Sequence, residues 1–84
     1  MTLQDQLAFE KAFNTGLSLS RLGRWNDAVE SYREAIRLRP GDAEAHFNLG
    51  LVYYELGREF EARAEFARVN ALGGLAKNAA KMRF

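Results

Sequence analysis

Eighty-four residues, 48% hydrophobic and 27% charged, make one small domain of ordinary globular composition, which excludes a disordered chain. The net charge is +1 with acids and bases interspersed, so the clustered basic stripe of a nucleic-acid surface is excluded. Without cysteine there is no disulfide, thiolate metal site or cysteine nucleophile, and no apolar run approaches the ~18 residues of a membrane span. The opening Met1-Thr2-Leu3-Gln4-Asp5 has no basic stretch followed by an apolar one, so no secretion signal is expected and a cytoplasmic location is.

The predicted elements are all helical. Thr2 followed by Asp5 resembles a capping arrangement, and Leu3 and Leu7 extend an apolar face, so the first helix starts early and runs to Leu22. Gly23-Arg24 makes a tight turn into a second helix over about 25–39. Pro40-Gly41 breaks it, and Asp42 is a good N-cap for a third helix reaching about Leu56. Gly57-Arg58 turns the chain into a fourth, about 59–72, stopped by Gly73-Gly74. The tail LAKNAAKMRF reads as a short amphipathic helix with Leu75, Ala76, Ala79, Ala80 and Met82 near one side. No segment alternates like a strand, so the fold class is all-α.

The chain repeats itself. Residues 9–24 and 43–58 align without a gap at an offset of 34, identical at eight of sixteen positions, among them Phe13/Phe47, Asn14/Asn48, Gly16/Gly50 and Gly23/Gly57. Ala28 recurs as Ala62, Tyr32 as Phe66 and Leu38 as Leu72. The expected organisation is an extension of the first helix over 1–8, repeats over 9–42 and 43–76, and a capping helix over 75–84. Gly16 and Gly50, with Ala28 and Ala62, are expected to let the helices of each pair approach closely, with Tyr32, Tyr53 and Phe66 filling the space beside the seam.

The second unit carries His46-x2-Leu49-Gly50-x2-Tyr53 and Ala62-x3-Phe66; the first carries Ala12-x2-Thr15-Gly16-x2-Leu19, Ala28-x3-Tyr32 and Pro40. This 34-residue helix–turn–helix pattern resembles the tetratricopeptide repeat family. It departs from it in lacking the tryptophan, in Thr15 for leucine and in Gly74 where Pro40 stands one unit earlier. The resemblance implies a right-handed α-α superhelix of antiparallel pairs. The units also differ with a direction: Trp25, Val29 and Ile36 in the first become Glu59, Arg63 and Asn70 in the second, as a terminal repeat requires.

In such a superhelix the first helices of successive units line a concave groove. The resemblance then gives Glu10, Phe13, Asn14, Leu17 and Arg21 from one unit and Glu44, Phe47, Asn48, Leu51, Tyr54 and Glu55 from the other as groove residues. Asn14 and Asn48 stand at equivalent positions, and each carboxamide suits pairing with a peptide backbone unit. Similar proteins, the repeat region of O-linked N-acetylglucosamine transferases among them, hold extended peptides on such an asparagine ladder. Phe13, Leu17, Phe47, Leu51 and Tyr54 are expected to form an apolar floor, although burial in the core is an alternative for some. The family's clamp for a chaperone's C-terminal carboxylate is not expected, because Phe13 and Leu17 stand at its first-unit positions and only Asn48 matches.

No catalytic constellation emerges. His46 lies on the helix seam without a second histidine or cysteine at metal-ligand spacing, and Ser18, Ser20 and Ser31 have no histidine–acid partners. Arg21, Arg24, Arg58 and the tail's Lys77, Lys81 and Arg83 read as solvated charges. The expected function is a non-catalytic protein–protein interaction module that binds a peptide or helix in its groove, with no cofactor, metal, nucleic acid or membrane. Self-association into a homo-oligomer is the alternative, as is an accessory repeat domain of a larger enzyme or assembly protein.

Overall fold

The computed structural model describes residues 2–74. The expected capping helix over 75–84 lies outside the described residues. Four helices follow one another: α1 (Leu3–Arg21), α2 (Trp25–Leu38), α3 (Ala43–Glu55) and α4 (Glu59–Ala71), and no described residue is in a strand. α1 packs on α2, α3 on α4, and α2 on α3, so two hairpins stack through the second helix of one and the first helix of the other. None of these helices is long and apolar enough to cross a membrane.

The ends of the helices follow from their local chemistry. Thr2 Oγ1 accepts the Asp5 backbone N–H at 3.0 Å, and Asp42 Oδ1 accepts that of Ala45 at 3.0 Å, each satisfying an N–H that the first turn leaves without a partner. Both hairpin turns are Schellman motifs. Gly23 (φ 73°) donates to the Ser20 carbonyl and Arg24 to that of Leu19; Gly57 (φ 74°) donates to Tyr54 and Arg58 to Tyr53. The left-handed conformation explains why glycine stands at both turns. Arg24 and Arg58 then open the next helix without a side-chain cap; instead each guanidinium pairs with an acid three residues on, Asp27 at 2.7 Å and Glu61 at 2.6 Å.

The core runs across the stack. Ala28, Val29 and Tyr32 of α2 meet Leu49, Val52 and Tyr53 of α3 and Ala62 of α4, flanked by half-buried Trp25, Ile36, Leu17 and Phe66. A second cluster joins Phe9, Ala35 and Ala45. Leu3 and Leu7, expected to prolong the apolar face, are 72% and 57% exposed, because the first turns of α1 have little opposite them. Glu59, Arg63 and Asn70 are exposed, whereas Val29 at the position of Arg63 is buried. Phe60, one place from the position of Trp25, is 84% exposed.

His46 is buried with both ring nitrogens engaged. Nε2 lies 2.8 Å from the Pro40 carbonyl oxygen and Nδ1 2.7 Å from Glu65 Oε1. A carbonyl only accepts, so Nε2 is the donor there, and Nδ1 faces the Glu65 carboxylate. This contact ties α3, α4 and the joint between the hairpins.

The two mid-helix glycines are explained by one contact. A Cβ on Gly16 would lie 2.7–2.8 Å from three ring atoms of Tyr32; one on Gly50 would lie 2.5 Å from Cε1 of Phe66. Gly50→Ala is therefore expected to lower stability by about 1–2 kcal/mol, overpacking outweighing the roughly 1 kcal/mol that alanine returns in helix propensity. In denaturant titrations, combining it with Phe66→Leu should cost less than the two separate losses added together. Strict additivity would show that the ring is not what the glycine makes room for.

Candidate groove between the first helices

Two concavities lie side by side along the face where α1 and α3 run next to each other. One, of about 310 Å³, is lined by Leu17 and Ser20 of α1, Trp25 and Tyr32 of α2, and Asn48, Leu51, Val52 and Glu55 of α3. The other, of about 360 Å³, is lined by Phe9, Glu10, Phe13, Asn14, Arg39, Asp42 and Glu44. Helical spacing accounts for the sharing: residues three, four and seven apart fall on one side of a helix, as Glu10, Asn14, Leu17 and Arg21 do on α1 and Glu44, Asn48, Leu51 and Glu55 on α3.

Of the residues expected in a groove, Glu10, Phe13, Asn14, Leu17, Glu44, Asn48, Leu51 and Glu55 line one concavity or the other. Phe13 also serves the core, its ring 5.8 Å from Phe9 and 5.8 Å edge-on from Tyr32. Arg21 is exposed near the end of α1, its charge felt at the Tyr32 hydroxyl. Phe47 and Tyr54 line neither concavity. Phe47 is half-buried with its ring 5.8 Å from Phe66, and Tyr54 is 63% exposed.

The repeat-equivalent asparagines differ in surroundings. Asn14 is exposed, whereas Asn48 is half-buried with its carboxamide against the Tyr32 hydroxyl. Asn48 reaches back to the second helix of the preceding hairpin; for Asn14 the described residues contain no such helix. The Ser20 hydroxyl lies at the same spot, and its Oγ is buried without a hydrogen bond in the described residues. Ser20, Trp25, Tyr32 and Val52 were not expected in the groove. The available signal was the pair Tyr32/Phe66: the aromatic carries a hydroxyl in the unit that is followed by an asparagine.

Charges on this face are unevenly balanced. Arg39 stacks 4.0 Å over the Phe9 ring and pairs with Asp42 at 3.6 Å. Glu10, Glu44 and Glu55 take part in no ion pair among the described residues. The described residues bring no three His, Cys, Asp or Glu side chains together as a metal-ligand set.

With the geometry in hand, comparisons with known proteins place the chain. Residues 16–57 match the family model described as TPR repeat, and residues 44–72 match that described as Tetratricopeptide repeat. A 64-residue segment is 31% identical to Protein O-mannosyl-transferase Tmtc3 of Drosophila melanogaster, covering 76% of this chain and 7% of that protein. Among solved structures, a point mutant of MamA superposes with a TM-score of 0.75 at 34% identity, over 76% of this chain and 47% of the other. A second structure, MamA AMB-1, gives 0.75 and 34% over 77% and 36%. The chain thus spans less than half the length of each of these relatives.

Burial pushes the Tyr32 phenol above its usual 10.0; the Ser20 and Asn48 side chains and the Arg21 charge pull it back, and Glu44 adds to the rise. The folded state therefore holds the phenol proton more tightly, so this contribution to stability is whole below the ordinary phenol value and fades as pH rises through the folded one. Tyr32→Phe is expected to flatten part of the alkaline decline. Denaturant midpoints measured across that limb check this, and the same decline in both proteins would disconnect Tyr32 from it. Two hairpins joined through a shared core, glycines opposed to aromatic rings and matched family models agree: the chain belongs to the tetratricopeptide repeat family.

Proposed function

We propose that the chain is a non-catalytic interaction module that binds a peptide or helix of another protein along the groove between α1 and α3. Tetratricopeptide repeats generally mediate protein–protein interaction and typically carry no chemistry of their own. The observation that carries the finer reading is the 310 Å³ concavity, in which Leu17, Trp25 and Leu51 surround the Tyr32–Asn48 contact. Apolar walls supply burial, roughly 25 cal/mol per Å² removed from water, and a few polar groups in the floor fix orientation.

Asn48 has a structural task as well as a recognition one, so its substitution would mix the two effects. Leu51, 43% exposed, separates them. Leu51→Glu is expected to keep the helical signal and melting behaviour while weakening a peptide selected from a random display library against the parent chain by more than about tenfold. Undiminished binding by that variant would remove the groove as the site. Asn14→Ala, at an exposed carboxamide, should reduce affinity more modestly and leave stability within about 0.5 kcal/mol.

A second reading has its own support. Tyr54 and Phe60 are large and exposed, and the family relatives continue well past the length matched here. Pairing with another copy, or with further repeats of a longer protein, would cover such side chains. Sedimentation over a concentration range distinguishes self-association from the module reading. A cytoplasmic setting belongs to the same proposal and is supported by the cysteine-free sequence.

A further inference from the structure

We propose that the segment taken by this groove is basic as well as apolar: a stretch of a partner protein bearing Lys or Arg beside a large hydrophobic residue. The inference rests on the groove reading above and adds the chemistry of the occupant.

It is carried by where the paired and unpaired charges lie. On or just before α2 and α4, Arg24–Asp27, Arg37–Glu34 and Arg58–Glu61 neutralise one another at 2.6–2.7 Å. His46–Glu65 and Arg39–Asp42 are likewise paired. On the groove face Glu10, Glu44 and Glu55 are exposed and in no ion pair among the described residues, against the single unpaired cation Arg21. Glu10 and Glu44 rim one concavity from opposite helices, and Glu55 rims the other. The remaining unpaired charges among the described residues, Asp5, Glu30 and Glu59 against Lys11, Arg33, Arg63 and Arg68, do not share this acidic bias.

Glu55 at the apolar concavity, and Glu10 and Glu44 at its neighbour, lie on either side of Leu17 and Leu51 along the helices, which favours a cation on either side of a buried hydrophobic anchor. At the Glu10 and Glu44 concavity the acids come from both helices, so a segment lying there meets negative charge on each side. An acidic segment would face the same carboxylates unscreened within a Debye length of about 8 Å at physiological salt. Rim charges of this kind act chiefly on partner choice and encounter rate, with the anchor supplying most of the affinity.

The test uses the full chain and two fluorescently labelled decapeptide pools built from Leu, Ala and Ser, one with Lys and one with Glu at the remaining positions. The Lys pool should bind at least about tenfold more tightly and shift the backbone amides of Leu17, Asn48, Leu51 and Glu55 in heteronuclear NMR spectra. Glu44→Gln with Glu55→Gln should remove most of that preference. Glu30→Gln with Glu59→Gln, an equal change of net charge away from the groove, should not. Equal or tighter binding of the Glu pool, mapped to the same amides, overturns the basic-segment proposal and leaves the groove reading standing. Failure of both pools to move those amides overturns both. Sedimentation of the chain alone should show a monomer. A dimer dissociated by the Lys pool would give the site to another copy, whose residues 75–84 carry three bases and no acid, and would overturn the assignment to a partner protein.

Discussion

The contact between a glycine on one helix and the flat of an aromatic ring on its hairpin partner sets the geometry of this molecule. It occurs twice at an offset of 34, Gly16 on Tyr32 and Gly50 on Phe66, and neither site has room for a Cβ without displacing the ring. A mid-helix glycine costs about 1 kcal/mol relative to alanine, which the close approach of the two helices must outweigh. Its consequence extends past the hairpin. With α1 held close against it, the Tyr32 ring is buried to 1% exposure, and its hydroxyl emerges on the far side, against Asn48 of the next hairpin. A scaffold residue in α1 thus helps place a polar group in the groove floor.

The stacking interface shows why two nearly equal backbones carry unequal surfaces. Ala45, Leu49 and Val52 of α3 are buried, while their counterparts in α1, Lys11, Thr15 and Ser18, are exposed. On the second helices the polarity is reversed: Val29 is buried and Trp25 and Ile36 half-buried, where Glu59, Arg63 and Asn70 are exposed. Each apolar set therefore lies where hairpin meets hairpin, and each polar set on the face turned outward. Burying a residue such as Leu49 contributes roughly 1.5–3 kcal/mol, a large fraction of what a domain of this size can hold. Thr15 in place of the usual leucine is the same rule acting on the first hairpin.

Much of this was legible in the sequence. The four helices, their N-caps at Thr2 and Asp42 and the turns at Gly23 and Gly57 each have a local cause, so residue identity alone announces them. The double occurrence of sixteen residues made the stack visible as well. What did not show were roles that depend on a neighbour far along the chain. Tyr32 and Phe66 read as interchangeable core aromatics until Asn48 is set beside one of them. His46 is tied to Pro40 and to Glu65, the latter 19 residues away on another helix. Periodicity placed Leu3 and Leu7 on an apolar face but carries no information on whether anything faces them. Phe47 has the same letter as Phe13, yet Phe13 packs beneath a following hairpin while Phe47 rests on Phe66.

Floor and rim of the groove have different physical duties, and the residues divide accordingly. Leu17, Trp25, Leu51 and Val52 are drawn from three helices, so the floor exists only when the hairpins are stacked, and binding there, as proposed, would be coupled to the integrity of the core beneath it. The rim carboxylates depend on no such assembly: Glu10, Glu44 and Glu55 are exposed and in no ion pair among the described residues. On the proposed reading, partner preference would therefore change by substitution at the rim while the floor and fold stay fixed. That separation explains how a family with one repeat geometry can accommodate a clamp for carboxylates in some members and an acidic-rimmed groove here.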